Sequence, residues 1–265
     1  MKIAIIQLDP DSVPLQNGDQ ANFAQLGESL LRQCLLPISN STHLDDKDIE
    51  YTTFNYSATP TAAALPPFPE QFDVIYLTGS KYDSYIDNDF NITLITFLQE
   101  ILNSKKMANT KLLGICYGHQ LIARALGLQT LPNPHPQQWE IGNVRVIDGA
   151  LGDFVISEVH RDVVQCNDQT LTLLQNHEIQ SLGRSEDNVC ALQGLYKSGK
   201  LLTFQGHPEF DKDVTMWLAE LEFQRGYISE SYLDDVKKRY RDMIEDSLDE
   251  SGNKKLQRII RDFIE

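Results

Sequence analysis

Lys111-Leu112-Leu113-Gly114-Ile115-Cys116-Tyr117-Gly118-His119-Gln120 runs from an apolar segment straight into Leu121-Ile122-Ala123-Arg124-Ala125-Leu126-Gly127. The first part has the character of a buried strand, and the second has helical spacing closed by a glycine. Between them lies a sharp turn that carries a cysteine. This is a cysteine version of the G-x-S-x-G nucleophile elbow. Glycines on either side suit it, because side chains there crowd a turn whose central residue is already strained. At a helix start, Cys116 also faces free N–H groups that favour a thiolate, the reactive form. An elbow of this kind places its nucleophile at a strand end, on one edge of a parallel sheet.

The rest of the pattern fits such a sheet. Strands are expected over residues 2–8, 72–78, 111–115, 143–147, 154–160, 171–175, 189–196 and 201–206. Helices are expected over residues 22–35, 89–104, 118–126, 211–226, 230–248 and 253–264. Strand and helix alternate in the first half, and strands cluster in the middle. That order predicts an α/β fold, with a mainly parallel sheet flanked by helices and a few antiparallel strands at one edge. Residues 37–70 are rich in Pro, Thr, Ser and Asn and read as a long surface connection. Residues 230–250 are dense in charge, with Tyr232, Val236, Tyr240 and Ile244 forming an apolar stripe at helical spacing. The expected division is an α/β domain over 1–210 and a helical C-terminal extension over 211–265 packed on it.

Composition removes several function classes. The 265 residues hold 23 Lys+Arg against 38 Asp+Glu, a net charge of −15. A chain this acidic offers no basic face for a phosphate backbone, so no nucleic-acid partner is expected. No apolar run approaches the ~20 residues of a membrane span, so no membrane partner is expected either. Residues 2–8 read as a core strand rather than a secretory signal. Cys34, Cys116, Cys166 and Cys190 are scattered without a C-x-x-C pair. A zinc site or a disulfide framework is therefore not expected, and a reduced, cytoplasmic setting is. No G-x-x-x-x-G-K-[ST] phosphate loop is present in the sequence. Nothing in the sequence calls for a metal or a cofactor.

A cysteine nucleophile needs a base, a group that orients the base, and donors for an oxyanion. Leu201-Leu202-Thr203-Phe204-Gln205-Gly206-His207-Pro208-Glu209 reads as a core strand with a polar tip. Side chains two apart on an extended segment point the same way, so His207 and Glu209 emerge together. Pro208 blocks further sheet pairing. His207 is the candidate base for Cys116, and Glu209 the group that fixes its tautomer. Tyr76-Leu77-Thr78-Gly79-Ser80 ends another expected strand, and Gly79 allows close backbone approach. The N–H groups of Gly79 and Tyr117 are the candidate oxyanion donors. His119, in the first turn of its helix, is as well suited to packing or capping as to substrate contact. Trp139-Glu140-Ile141-Gly142, near Pro132, Pro134 and Pro136, reads as irregular backbone that either packs or forms a rim loop.

Gly114-Ile115-Cys116-Tyr117-Gly118-His119-Gln120 followed at a distance by Gly206-His207-Pro208-Glu209 resembles the class I, or triad, glutamine amidotransferase family. With the Gly79 turn, the resemblance covers about residues 1–210. It implies a flavodoxin-like sheet and a Cys116-His207-Glu209 triad that attacks the side-chain amide of glutamine. The expected intermediate is a γ-glutamyl thioester, with release of ammonia. It also implies that Gln120 contacts the bound glutamine and that His160 and Asp162, in an H-x-D stretch, help line the pocket. The turn Thr78-Gly79-Ser80 departs from the paired glycines common in the family. The sequence resembles most the stand-alone branch of fungal amidotransferase-like proteins and plant γ-glutamyl peptidases. The expected partner is thus a small γ-glutamyl substrate. Two alternatives stand beside hydrolysis: delivery of ammonia to a separate enzyme, and a non-enzymatic ligand sensor.

Overall fold

The computed structural model describes residues 1–15, 18–36, 48–134, 138–186, 188–245 and 249–265. The chain begins with β1 (Lys2–Gln7), the antiparallel pair β2 (Ser12–Pro14) and β3 (Gln20–Asn22), α1 (Phe23–Leu35) and β4 (Glu50–Asn55). It continues through β5 (Val74–Leu77), α2 (Asp89–Asn103), β6 (Lys111–Ile115) and α3 (Tyr117–Ala125). The middle holds β7 (Thr130–Pro132), β8 (Glu140–Ile147), β9 (Phe154–His160), β10 (Asp162–Val164), α4 (Asp168–Asn176), β11 (Gln180–Ser181) and β12 (Arg184–Ser185). Then come β13 (Gly194–Lys197), β14 (Leu201–Phe204), α5 (Lys212–Gln224), α6 (Glu230–Glu245) and α7 (Asp249–Ile264).

The main sheet runs β11-β13-β14-β6-β5-β1-β4. β14, β6, β5, β1 and β4 pair in parallel, while β11 and β13 are antiparallel at one edge. Counted along the chain, the parallel strands stand in the order 2-1-3-4-5, the flavodoxin-like arrangement. The mainly parallel sheet and its antiparallel edge agree with the sequence expectation. A second sheet, β12-β8-β9, and a β7-β10 pair are built from the middle of the chain.

Alternation along each strand feeds two cores. Ile3, Ile5, Tyr76, Leu113 and Ile115 face one side, where Leu30, Leu31, Leu256, Ile260 and Phe263 meet them from α1 and α7. Ala4, Ile6, Ile75, Leu77 and Leu112 face the other side, against Leu94, Leu98, Leu121 and Ile122 of α2 and α3. α7 is thus a covering helix of the main sheet. The Nζ of Lys111 on β6 donates to the Ile264 carbonyl at 2.7 Å. Ile141 of β8 packs with Ala219, Leu233 and Val236 of α5 and α6.

Three expectations need correction. Residues 171–175 are not a strand: they lie in α4, which Asn167 caps by accepting from the Thr170 N–H at 2.8 Å. A side-chain cap and an acidic first turn outweigh a short Leu-Thr-Leu-Leu run that fits either state. The supposed connection 37–70 contains β4, an edge strand in full parallel register with β1. Its burial is only partial, so it lacks the apolar signature of a core strand. Residues 37–47 of that segment lie outside the described residues, as do Pro136 and residues 246–248 at the end of the expected helix 230–248. Finally, Glu140, Ile141 and Gly142 lie in β8 and pair with β9 rather than forming a loop, with a positive φ of +110 at Gly142.

Candidate active site

The parallel strands end together. β1 leads into Asp9, β5 into Gly79, β6 into Cys116 and β14 into His207. The switch in strand order falls between β1 and β5, where open α/β sheets form their crevice. A cavity of about 370 Å³ opens there, lined by Cys116, Gln120, His160, Asp162 and His207 among others.

Cys116 has φ +50 and ψ −103, a strained conformation outside the usual regions. It is held because the strand and helix on either side are both fixed. The Cys116 N–H donates to the Phe204 carbonyl at 2.8 Å, which ties the elbow to β14. The Gln120 N–H donates to the Cys116 carbonyl at 3.0 Å, which starts α3. The glycines serve close approach: a Cβ on Gly118 would lie 2.6 Å from the Leu77 carbonyl oxygen, and one on Gly114 2.9 Å from Gly118 backbone. α3 crosses the sheet at a distance that only glycine permits.

His207 and Glu209 emerge on one side, as period-two spacing requires. The Nδ1 of His207 lies 2.8 Å from Oε1 of Glu209, and both side chains are buried. The Phe210 ring stacks on the His207 ring at 4.0 Å between centroids and 6° between planes. Backbone also holds His207, whose N–H donates to the Ser157 carbonyl at 2.7 Å. Gly79 lies against both Cys116 and His207. A Cβ there would sit 2.8 Å from Cε1 of His207 and 3.6 Å from Cβ of Cys116. The buried carboxylate of Asp9 holds the next residues of this turn, accepting from the Lys81 N–H at 2.7 Å and the Ser80 hydroxyl at 3.4 Å.

The expected thiolate is not the resting form. Burial, and then the negative charge of Glu209, push the Cys116 thiol well above its ordinary range. A hydrogen bond from the Tyr117 N–H opposes them without overcoming them.

The pocket residues divide their roles. Gln120 lines the cavity, and its Nε2 donates to the Asp162 carbonyl at 2.8 Å and to Oε1 of Gln205 at 3.2 Å. His160 lines the cavity too, with Nε2 2.7 Å from Oε2 of Glu158 and 3.8 Å from Oε2 of Glu140. Burial works against charging His160, but the two carboxylates prevail and raise its pKa. Burial and the neighbouring Glu140 push Glu158 up to about 7. Three potential metal-ligand atoms of this cluster lie within 4.8 Å of one another. They are engaged internally: Glu140 also accepts from Ser185 at 2.8 Å and from Asn188 at 3.0 Å. Oδ2 of Asp162 takes the Ser84 N–H at 2.7 Å and its hydroxyl at 3.1 Å. His119 points away, its Nδ1 2.8 Å from the Thr203 hydroxyl, and burial drives its pKa down to about 3. It packs against the sheet.

Sequence reasoning missed several members of the site. Nε2 of Gln205 approaches the Cys116 sulfur at 3.8 Å. Its position two before His207 was a usable signal. Asp9 just beyond β1 was a weaker one. Trp217, Leu218 and Leu221, which wall the cavity, gave no local signal at all, while Trp139, part of the segment read as packing or rim, does line it.

This arrangement has counterparts among known proteins. The family profile for glutamine amidotransferase class-I matches residues 87–216. A Saccharomyces cerevisiae protein named as a candidate glutamine amidotransferase is 33% identical over 222 residues, 80% of each chain. The chain belongs to the class I glutamine amidotransferases. Among its other relatives is gamma-glutamyl peptidase 2 of Arabidopsis thaliana, 25% identical over 63% of this chain and 66% of that one. A solved glutamine amidotransferase from Thermotoga maritima shares the fold, with a TM-score of 0.62 over 100% of this chain and 98% of that chain at 17% identity. Among the described residues no helix is long and apolar enough to cross a membrane.

Proposed function

We propose that this amidotransferase-family chain is a cysteine hydrolase of γ-glutamyl amides, acting on glutamine or a γ-glutamyl peptide. The observation that carries the reading is the 2.8 Å His207–Glu209 pair beside a cysteine held at φ +50 in the same cavity. An ionised Glu209 is an acceptor only, so it takes the Nδ1–H of His207 and leaves Nε2 as the base. Because the resting thiol is protonated, Nε2 removes its proton as the sulfur attacks the γ-carbonyl carbon. The N–H groups of Gly79 and Tyr117 receive the oxyanion. On collapse the C–N bond breaks, and the proton on Nε2 passes to the leaving nitrogen. A γ-glutamyl thioester remains on Cys116. Water, deprotonated by the same Nε2, attacks it, and the thiolate departs and regains a proton. Glutamate and an amine or ammonia are the products.

Support comes from the family, which the sequence relatives establish, and from γ-glutamyl peptidases among those relatives at modest identity. No observation favours delivery of ammonia to a separate enzyme or a purely sensing role. Replacing Cys116 by Ser tests the reading. Turnover of γ-glutamyl substrates falls by about 10³-fold or more, with the thermal midpoint unchanged within a few degrees. Activity like that of the parent chain would refute it.

A further inference from the structure

We infer that the face of α5 turned to the cavity is the leaving-group subsite and that it selects γ-glutamyl compounds whose amine part carries an aromatic or large aliphatic side chain. This rests on the hydrolase reading above and deepens it.

The path of the proton orients the substrate. His207 must hand it to the leaving nitrogen, so the amine part lies on the His207 side of the scissile bond. The residues just after His207 in the chain occupy that side. Phe210 stacks on its ring, and Asp211 caps α5 by accepting from the Val214 N–H at 2.9 Å. α5 then presents Trp217, Leu218 and Leu221 to the cavity, at spacings of one, three and four that share one helical face. Trp139, just before β8, joins them as a second indole in the lining. The glutamyl end falls toward Gln120 and Asp162, whose polar atoms are interconnected.

Charge does not compete with this apolar surface. Each cation of the lining is matched by an acid: Lys81 by Asp11 at 2.6 Å, Arg225 by Glu222 at 2.7 Å, and Arg161 by Asp83. Asp9 is taken up by the turn it holds. Beyond the reacting groups, the cavity offers this aromatic and aliphatic surface beside ion pairs that are already closed on themselves, such as Glu222–Arg225. Trp217 is 36% exposed, an indole left partly open to solvent in a concave site. A space of about 370 Å³ falls within the ~300–1,000 Å³ of ordinary small-molecule pockets.

The test compares kcat/KM for γ-glutamylphenylalanine, γ-glutamylglycine, γ-glutamyllysine and glutamine, with acylation of Cys116 followed on the same samples. γ-Glutamylphenylalanine is expected to exceed γ-glutamylglycine and glutamine by at least tenfold. Trp217→Ala reduces the phenylalanine-to-glycine ratio toward unity, and Trp217→Phe restores most of it. A wild-type ratio near unity, a preference for γ-glutamyllysine, or a ratio unmoved by Trp217→Ala overturns the inference while leaving the hydrolase reading standing. Absence of acylation by all four compounds overturns the hydrolase reading and this inference with it.

Discussion

Cys116 illustrates how position alone does not fix reactivity. The helix start favours a thiolate, yet burial and the nearby Glu209 charge outweigh it and keep the proton on sulfur. The hydrolysis proposed above would thus run by base-assisted attack rather than from a standing thiolate–imidazolium pair. Alkylation of Cys116 by iodoacetamide should accordingly be slow near neutral pH and climb steadily through the alkaline range. A fast plateau already present near pH 6 would show a thiolate at rest. The residue pattern was largely legible here. The elbow, His207 and Glu209 are close-spaced signals, readable because a turn and an alternating strand impose their geometry within a few positions. Gln120 and His160 were legible as cavity residues but not as members of hydrogen-bond networks. Those networks join residues from distant parts of the chain, such as Gln205 and Glu140.

At the scale of elements, the sheet depends on close crossings. α3 lies so near β5 that a Cβ on Gly118 meets a backbone oxygen, which cannot rotate away as a side chain could. Gly118→Ala should therefore cost about 1–3 kcal/mol and lower the thermal midpoint by several degrees. A midpoint unchanged from the parent would mean that the crossing is looser than the structure indicates. Buried parallel strands were readable because they are continuously apolar. β4 was not, since a half-buried edge strand of Glu-Tyr-Thr-Thr-Phe-Asn looks like ordinary loop sequence. α4 was misread because four apolar or β-branched residues fit strand and helix alike, and only the Asn167 cap decides. α5 and α6 were readable as helices, but α5 was not readable as the wall of a cavity, because its docking on β8 and β9 is a tertiary fact.

Across the whole molecule, one buried charge cluster couples pH to stability. Glu158 and His160 hold protons in the folded chain that the unfolded chain releases. Both folded pKa values are raised, Glu158 from 4.5 to about 7 and His160 above 6.5. The stability that depends on Glu158 is thus full below about pH 4.5 and declines as pH rises through about 7. The His160 contribution is full below 6.5 and is lost through its own higher folded value. Thermal melts from about pH 5 to pH 8 should show a midpoint that falls by a few degrees, and Glu158→Gln should flatten that slope. An identical slope in the variant would exclude the cluster as its source. The most direct measurement on the molecule is the intact mass after brief mixing with a γ-glutamyl substrate and an acid quench. A covalent γ-glutamyl adduct that maps to Cys116 and is absent in Cys116→Ser is the predicted result. Substrate consumed with no adduct at any quench time, or an adduct on another residue, would contradict a thioester at this cysteine.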